Sequence, residues 1–411
     1  MLAGLSARGK IDLKILILTD VMSVVGGVES YLHTILPELE ALGHEIVVVT
    51  VLPGDEGRSW IQSGIKKECP VWIINEIGIQ QTVLKAKQWG AEIVFSSELL
   101  NPEHQLQFAK AFPSVLFAHN LGGMCISVFK RFRSPSLQMC TKPLSASCLA
   151  YYFPRRCGGL NPVKMLQDYR RETARRDARP EFRQVVVASH YMAGEIERHG
   201  IEKDKITRIP YPLTRTQTID SRSIGNLNRV FYIGRLTELK GWRVLVESIK
   251  LAEERLGRSL QLVVAGEGPD RLPFENAATD RGIDATFLGW IEPSRRSEEL
   301  QKADLLVMPS LWPEPFGLVG IEAAQIGVPV VAFDVGGISD WLQHKVTGEL
   351  VSIEGSREQG LAASMASVLS DPVYWKQLSD NSRRNALNYD IDEHIRQLLS
   401  VFRMAINGSV A

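Results

Sequence analysis

Two acidic residues in the second half of the chain, Glu314 and Glu322, enclose Phe316, Gly317 and Leu318. A helix that begins near Leu318 would offer unpaired backbone N–H groups and the positive end of its dipole to a phosphate. The carboxylates on either side could accept hydrogen bonds from sugar hydroxyls. A buried Glu322 without a partner would cost free energy, so this residue is either exposed or functional. The segment is a candidate site for phosphate and sugar.

Two cations, Arg235 and Lys240, follow Gly234 at a point where a strand ends and a helix begins. The planar guanidinium and the ammonium can converge on a diphosphate. Doubly wound sheets bind their ligands at this edge, outside the carboxyl ends of the strands. The alternative is that both residues are solvated surface cations. For two cations taken without any other motif, this alternative is the better interpretation.

Glycines stand at two further strand ends. Gly26 and Gly27 come shortly after the first strand and directly before a helix, and Gly266 follows a strand in the second half. Glycine lets a phosphate or sugar approach the backbone closely, although a tight turn needs glycine as well. Glu29 suits the positive end of the helix that follows. Neither a P-loop nor a dinucleotide-binding fingerprint is present.

The elements that position these residues follow the alternation of an α/β protein, in which helices cover both faces of parallel sheets. Apolar runs predict strands at 14–19, 45–51, 93–95, 114–118 and 184–188, then at 228–233, 261–265, 285–288, 304–308 and 329–333. Helical spacing of apolar residues predicts helices at 28–42, 190–199, 242–254, 272–281 and 318–326.

The length of 411 residues predicts two domains. Prolines in 209–213 mark a linker, so the predicted domains are 1–212 and 213–389, followed by a C-terminal helix, 390–411, that can pack back on the N-terminal domain. The composition, 45% hydrophobic and 23% charged, excludes disordered and fibrous classes. Forty-seven basic residues balance forty-seven acidic ones, which gives no global reason to bind nucleic acid.

No apolar run has the length of about 20 residues that a membrane span needs, and no secretory signal is recognisable. We therefore expect a cytoplasmic location.

Taken together, the motifs resemble those of the family 4 retaining glycosyltransferases. The set comprises Gly-Gly-x-Glu at Gly26, Gly-Arg-Leu-x3-Lys-Gly at Gly234, Gly-x-Gly-Pro at Gly266, Glu-x7-Glu at Glu314 and Pro-Val-Val-Ala-x3-Gly-Gly at Pro329. The resemblance covers about residues 11–350. It implies a GT-B fold, in which two Rossmann-like doubly wound domains face each other across a cleft.

The implied activity is transfer of a sugar from a nucleoside-diphosphate sugar, with UDP or GDP as nucleotide, to a saccharide, glycolipid or lipid-linked acceptor. Surface polysaccharide or glycoconjugate biosynthesis is the implied setting. The C-terminal domain would bind the donor, the N-terminal domain would bind the acceptor, and the reaction would take place in the cleft.

The resemblance also implies a role for each candidate residue. Arg235 and Lys240 match the pair that clamps the diphosphate. Glu322 matches the acid that holds the ribose hydroxyls, and Glu314 matches the acid that meets the donor sugar. The remaining donor-binding positions are the backbone of Phe316, Gly317 and Leu318, Gly234, Gly266 in the loop that lines the base, and Gly27 with Gly26 at the phosphate.

His119 ends the predicted strand 114–118, where the family often has a histidine that points at the donor sugar. The alternative is a histidine that caps a buried strand. Ser189 resembles a family serine at the same edge. The implied mechanism is front-face attack, in which Arg235 and Lys240 stabilise the departing diphosphate and the diphosphate takes the acceptor proton. No Asp-x-Asp signature lies near the predicted site, so we expect transfer without a metal ion or other cofactor.

The segment 121–183, called the insert below, sets this chain apart within the N-terminal domain. It holds thirteen basic and four acidic residues. Such a patch would suit a phosphate-bearing lipid, an anionic saccharide or peripheral contact with the inner face of the cytoplasmic membrane. A solvated helix face around 169–183 is the alternative for part of this charge.

Four of the five cysteines, Cys125, Cys140, Cys148 and Cys157, lie in the insert, whereas Cys69 stands apart. Four thiolates could hold a structural zinc ion. However, no two of them are separated by just two residues, which favours buried thiols.

Two other functions fit the same fold. One is a GT-B epimerase or phosphorylase, although a phosphorylase would need a cofactor lysine that the sequence does not show. The other is a non-catalytic partner subunit that binds nucleotide sugar. The presence of Arg235, Lys240, Glu314 and Glu322 counts against that alternative.

Overall fold

The computed structural model describes residues 12–21, 23, 26–53, 64–65, 69–215 and 226–408. The chain divides into two compact units, of which the first comprises Met1–Pro212 with Ile391–Ala411 and the second comprises Leu213–Asp390. Each unit is built on a parallel sheet with helices, so the predicted α/β class is confirmed.

The first unit contains a seven-stranded sheet with the order β3-β2-β1-β4-β5-β8-β9. Its strands are β1 Lys14–Thr19, β2 Glu45–Thr50, β3 Val71–Ile73, β4 Ile93–Ser97, β5 Ser114–Phe117, β8 Gln184–Val187 and β9 Ile206–Arg208. All neighbouring strands are parallel. β1, β4 and β5 are almost wholly buried because both faces of a parallel sheet are covered, which explains their unbroken apolar runs.

Eight helices of the first unit are described: α1 Gly27–Ala41, α2 Ile74–Ile77, α3 Ile79–Trp89, α4 Pro102–Ala111, α5 Ser147–Tyr152, α6 Pro162–Ala178, α7 His190–Arg198 and α14 Ile391–Asn407. The C-terminal helix α14 packs on β5, β4 and α1 through buried residues that include Ile395, Leu398 and Phe402. The insert holds α5, α6 and a two-stranded antiparallel ribbon, β6 Arg131–Phe132 and β7 Gln138–Met139.

The second unit contains a six-stranded parallel sheet with the order β12-β11-β10-β13-β14-β15. Its strands are β10 Arg229–Ile233, β11 Gln261–Ala265, β12 Asp284–Gly289, β13 Leu305–Met308, β14 Val330–Phe333 and β15 Gly348–Val351. Its helices are α8 Trp242–Leu256, α9 Arg271–Asp280, α10 Pro293–Lys302, α11 Leu318–Gln325, α12 Arg357–Ser370 and α13 Pro372–Ala386.

The strand order of both sheets reverses beside the first strand of the unit, between β1 and β4 and between β10 and β13. Loops diverge at such a switch point, and ligands bind there at the carboxyl edge. Among the helices of the described ranges, none has the length and apolar character needed to cross a membrane.

The predicted strands all exist, with ends displaced by at most two residues. The sequence analysis did not predict several elements that are present, which are β3, β6, β7, β9 and β15 and the helices α2, α3, α4, α5, α10, α12 and α13. β3 and β9 have only three residues each, too few for a period to be recognised. In α12 alanine and serine residues separate the larger apolar residues, so the helical periodicity of the buried face is difficult to recognise in the sequence.

Candidate active site

The centre of the candidate site in the second unit is an ion pair between Lys240 and Glu314. Lys240 ends a short 3-10 turn after β10, and Glu314 lies in the loop after β13. The Lys240 Nζ atom lies 2.6 Å from Glu314 Oε1. The same oxygen accepts hydrogen bonds from Ser310 Oγ and, at 3.1 Å, from Trp312 Nε1. The carboxylate is buried and multiply bonded, as a buried charge requires.

The backbone of Glu314 is also fixed. Its carbonyl oxygen accepts a hydrogen bond of 2.7 Å from the N–H of Gly337, in the turn that follows β14. Gly336 has φ +63°, and a Cβ atom there would lie 2.2 Å from that oxygen. The Gly-Gly pair of the sequence motif therefore permits the close backbone contact that holds Glu314 in place.

Arg235 is exposed in the loop after β10, the same loop that leads to Lys240. Within the described ranges it has no ion-pair partner. The glycine before it is packed against a second loop, because a Cβ atom on Gly266 would lie 2.0 Å from the carbonyl oxygen of Gly234. The structure thus brings Gly234, Arg235, Lys240, Gly266 and Glu314 to one edge of the second sheet.

The segment from Phe316 to Leu318 begins α11, with Gly317 in the left-handed conformation as the N-cap. The ring of Phe316 is buried, and its carbonyl oxygen accepts a hydrogen bond of 2.6 Å from Trp341 Nε1. Trp341 also packs against Gly320. The first N–H groups of α11 have no carbonyl partner within the helix, so this end can accept an anion.

Glu322 lies in the second turn of α11 and is half-buried. Its Oε1 atom pairs with Arg296 at 2.9 Å, and its Oε2 atom is buried without a hydrogen-bond partner in the described part of the chain. Burial raises the pKa of Glu322, and the charge of Arg296 opposes that rise. Arg296 lies on α10, which the sequence analysis did not predict, so its pairing with Glu322 is a new feature of the site.

The candidate residues of the first unit lie at the carboxyl edge of its own sheet. His119 follows β5 and is 5% exposed. Its Nδ1 atom lies 2.6 Å from Tyr211 Oη, and its ring stacks on Phe117 with a centroid distance of 4.2 Å. Burial lowers the pKa of His119 to about 3, so the imidazole is neutral at physiological pH. The Nε2 atom is buried and has no hydrogen-bond partner among the described residues.

A second histidine, His394 on α14, extends this aromatic cluster. Its Nδ1 atom lies 2.8 Å from the carbonyl oxygen of Pro210, and its Nε2 atom lies 3.0 Å from Tyr31 Oη. A carbonyl oxygen only accepts, so Nδ1 carries the proton and Tyr31 donates to Nε2. The ring of Tyr31 in turn packs against the ring of His119, with a distance of 5.2 Å between the ring centroids. No sequence motif indicates this link between α14 and the candidate histidine.

Three other candidates of the first unit are used by the fold itself. Gly26 is the N-cap of α1 and Gly27 its first residue, and the Glu29 carboxylate hydrogen-bonds to the backbone of Gly26. Ser189 is buried, and its Oγ accepts a hydrogen bond of 3.2 Å from the N–H of Met192. Ser189 thus caps α7, which is sufficient to explain a serine at this position.

The cysteines of the insert bear on the structural-zinc alternative. Within the described ranges, no three His, Cys, Asp or Glu side chains come together in an arrangement that could hold a metal ion. Cys125, Cys140, Cys148 and Cys157 are free thiols, and Cys157 lies in an apolar cluster beside Cys140 and Cys148. Burial raises the pKa of Cys157 to about 12, which keeps this thiol protonated. The structure therefore does not support the structural-zinc alternative.

The positive charge of the insert is only partly a surface feature. Lys130, Arg131, Arg175 and Arg179 are buried. Lys130 pairs with Glu195 of α7 at 2.9 Å. The expected solvated helix face is thus wrong for Arg175 and Arg179, which point into the first unit and form ion pairs there.

Comparison with known proteins identifies the class of protein. The sequence model of Glycosyltransferase Family 4 matches residues 25–213, and that of Glycosyl transferases group 1 matches residues 215–386. The two matches follow one another and together span most of the chain. The chain therefore belongs to the family 4 glycosyltransferases of the GT-B fold.

Individual relatives are more distant. An uncharacterised glycosyltransferase of Methanocaldococcus jannaschii is 29% identical over 191 residues, which are 45% of this chain and 48% of the relative. The D-inositol 3-phosphate glycosyltransferase of Rhodococcus opacus is 33% identical over 184 residues, 43% of this chain and 41% of that enzyme. The matched regions thus span about half the length of these curated relatives or less.

Among solved structures, Anabaena HepE in complex with UDP and glucose superposes with a TM-score of 0.67, covering 95% of this chain and 99% of HepE. The two sequences are 17% identical, so this likeness shows a shared fold.

Proposed function

We propose that this chain is a retaining, metal-independent glycosyltransferase that uses a nucleoside-diphosphate sugar. The second unit would bind the donor, and the first unit would bind a saccharide, glycolipid or lipid-linked acceptor. The observation that carries the proposal is the Lys240–Glu314 ion pair at the carboxyl edge of the second sheet. Arg235 is exposed in the loop after β10 that leads to Lys240, at the edge where doubly wound sheets bind nucleotides.

The cations would bind the diphosphate. An ammonium has three N–H donors, so Lys240 can keep its bond to Glu314 and still donate to a phosphate oxygen. Arg235 can add two parallel hydrogen bonds. The N-terminal end of α11 would supply further N–H donors. The Oε2 atom of Glu322, which has no partner among the described residues, would accept from the ribose hydroxyls.

In the proposed reaction, the acceptor oxygen attacks the anomeric carbon on the face from which the diphosphate departs. The bond between the anomeric carbon and the phosphate oxygen breaks, and its electron pair stays on the diphosphate. The acceptor proton passes to that departing oxygen. Arg235 and Lys240 lower the barrier by stabilising the negative charge that develops there.

The environment of His119 agrees with this scheme. A pKa of about 3 makes this imidazole too weak a base to take the acceptor proton near neutral pH. Its contribution would be a hydrogen bond from a neutral ring. The Nε2 atom, without a partner among the described residues, is the one available to a ligand.

The proposed donor and setting rest on a fold relative and on the surface of the insert. HepE is a fold relative that binds UDP, which makes UDP-sugars the first donors to test. The insert exposes cations, including Arg133, Lys142 and Lys164, and the apolar side chains of Leu160 and Val163. This combination would favour peripheral contact with an anionic membrane and a lipid-linked acceptor in surface glycoconjugate assembly.

The test is the stereochemistry and metal dependence of transfer. Purified protein is supplied with α-linked UDP- and GDP-sugars and simple glycoside acceptors, and proton NMR follows the anomeric signal of the first product. We expect an α-linked product and an unchanged rate in EDTA. A β-linked product would contradict retention, and a rate restored only by Mg²⁺ would contradict metal independence. Nucleotide binding without turnover would favour the non-catalytic partner subunit.

A further inference from the structure

The helix α6 of the insert directs a row of charged residues into the first unit. Glu172, Arg175 and Arg179 are 0%, 7% and 1% exposed. They follow one another at intervals of three and four residues and so lie on one face, although Arg179 is just past the end of the helix. Buried ions are stable only when paired, and each of these three has partners outside the helix.

Arg179 connects two loops of the sheet edge. Its Nη2 atom lies 2.5 Å from Glu98 Oε1, directly after β4, and also donates to the carbonyl oxygen of Gly122, in the loop after β5. β4 and β5 are neighbours in the sheet. A single guanidinium therefore ties together two loops at the carboxyl edge, beside the switch point between β1 and β4.

Glu172 holds the next residue of the same loop. Its Oε2 atom accepts a hydrogen bond of 2.7 Å from the backbone N–H of Gly123. The preceding N–H, that of Gly122, donates to Asn120 Oδ1 at 2.7 Å. The backbone from Asn120 to Gly123 is thus fixed by side chains at successive residues, and it begins directly after His119.

The contact between this loop and α6 is too close to tolerate side chains in the loop. A Cβ atom on Gly122 would lie 2.9 Å from Arg175 Nη1, and one on Gly123 would lie 3.0 Å from the backbone nitrogen of Arg176. Arg175 also donates to the carbonyl oxygen of Leu99 at 2.9 Å. The insert is therefore built into the sheet edge.

We propose that Glu172 and Arg179 are positioning residues that orient the imidazole of His119 by fixing the loop 120–123. This inference rests on the proposed function, in which the neutral imidazole of His119 hydrogen-bonds to a ligand. Tyr211 fixes the ring from the Nδ1 side, and the insert fixes the backbone that follows it. A misplacement of about 1 Å at a reacting group can cost about 100-fold in rate.

The experiment compares Glu172→Leu, Glu172→Gln and the control Arg170→Gln in the full chain. The glutamine keeps an oxygen that can accept from Gly123, whereas leucine does not. Arg170 is exposed on the same helix. We expect Glu172→Leu to lower kcat about 10- to 100-fold, with nucleotide affinity unchanged. Glu172→Gln should restore most of that loss, and Arg170→Gln should match the parent.

A double-mutant cycle separates positioning from general destabilisation. If Glu172 acts through His119, adding Glu172→Leu to His119→Ala should cause less than about a twofold further loss. A full additional loss would overturn the proposal. Equal losses in Glu172→Leu and Glu172→Gln would overturn it as well.

A readout without turnover distinguishes failure of this inference from failure of the proposed function. The His119 resonance in histidine-labelled protein, assigned with His119→Ala, should shift in Glu172→Leu and stay near its parent position in Glu172→Gln. An unchanged resonance in Glu172→Leu would contradict positioning even if the enzyme is active. A shifted resonance in a protein with no transfer activity would support the coupling of loop and ring and refute the proposed reaction alone.

Discussion

Lys240 and Glu314, 74 residues apart in the sequence, form a 2.6 Å ion pair that joins the loops after β10 and β13. The side chain of Glu314 is 7% exposed and that of Lys240 is 27% exposed. The carboxylate is therefore held inside the second unit, and the ammonium keeps access to solvent. The ion pair thus places an ammonium next to a carboxylate, which in the proposed function would meet the diphosphate and the donor sugar.

The first prediction concerns Lys240→Met. We expect transfer to fall about 10- to 100-fold, because a charge-assisted hydrogen bond to the departing diphosphate is lost. Removal of the cation that pairs with the buried Glu314 should also lower the free energy of unfolding, by about 1 to 3 kcal/mol, because Ser310 and Trp312 still donate to the carboxylate. The matched control is Lys250→Met, which removes a lysine paired with Glu253 elsewhere in the same unit. Steady-state kinetics and thermal unfolding check both variants. Equal rates in the two would refute the diphosphate role.

Glu314→Gln tests whether Glu314 contacts the donor sugar or the nucleotide. The amide can still accept from Trp312, but it cannot bind a sugar hydroxyl as strongly as a carboxylate does. We expect kcat to fall by about tenfold or more. The Kd of UDP should change by less than about threefold, because UDP carries no transferable sugar. Calorimetry and kinetics on the same samples give both numbers. A parallel loss of UDP affinity would place Glu314 at the nucleotide instead.

Arg296→Gln tests the pairing at Glu322. Removal of the guanidinium takes away the charge that opposes the raised pKa of Glu322, so the pKa should rise further. A protonated carboxyl accepts fewer hydrogen bonds from ribose. We expect UDP to bind Arg296→Gln progressively more weakly than the parent as the pH decreases, by about tenfold at the acidic end, and to recover affinity as the pH increases. Arg295→Gln, at an exposed neighbouring residue, is the control. A pH-independent loss would mean that Arg296 contacts the ligand directly.

His394 makes stability depend on pH. Burial lowers its pKa to about 4, and an unfolded chain would titrate near 6.5. Between these values the unfolded state binds more protons, so the histidine destabilises the fold as the pH decreases from about 6.5 to about 4, by up to about 1.4 kcal/mol per pH unit. His394→Gln should remove this part of the slope of unfolding free energy against pH. His33→Gln, at a half-buried position, should not. Equal slopes in both variants would contradict the assignment.

Gly266→Ala tests the close contact of the loops after β10 and β11. Gly266 has φ +126°, and its Cβ atom would lie 2.0 Å from the carbonyl oxygen of Gly234. We expect a loss of about 3 kcal/mol or more in unfolding free energy, together with weaker nucleotide binding. At Gly257, with φ +65° and no atom within 4 Å of an added Cβ, alanine should cost about 1 kcal/mol. Denaturant titration would show whether the two differ.

The sequence was sufficient to predict ten of the thirteen strands of the two parallel sheets and the motif residues at their carboxyl ends. Buried parallel strands are apolar runs, and the turn chemistry that follows them is local. It is therefore visible in the order Gly234, Arg235, Lys240. The contact between Lys240 and Glu314 depends on which strands are neighbours, and periodicity does not encode the order β10-β13.

The buried charges of the insert show the same limit. The insert contains thirteen basic residues, but their number does not show which of them are on the surface. Arg179 is buried, and its partner Glu98 is 81 residues away in the sequence. Likewise, Tyr211 and His394 lie far along the chain from His119 and carry no motif. Each was brought to the histidine by the packing of distant segments.

The most direct test of the central claim is nucleotide binding by the second unit's candidate residues. UDP, GDP, ADP and dTDP are titrated into the parent chain, Lys240→Met and Lys250→Met by calorimetry. We predict that one nucleotide binds the parent and Lys250→Met equally and binds Lys240→Met at least about tenfold more weakly, with the loss reduced at high salt. Equal affinity in all three proteins, or no binding of any nucleotide to the parent, would contradict a diphosphate site at Lys240.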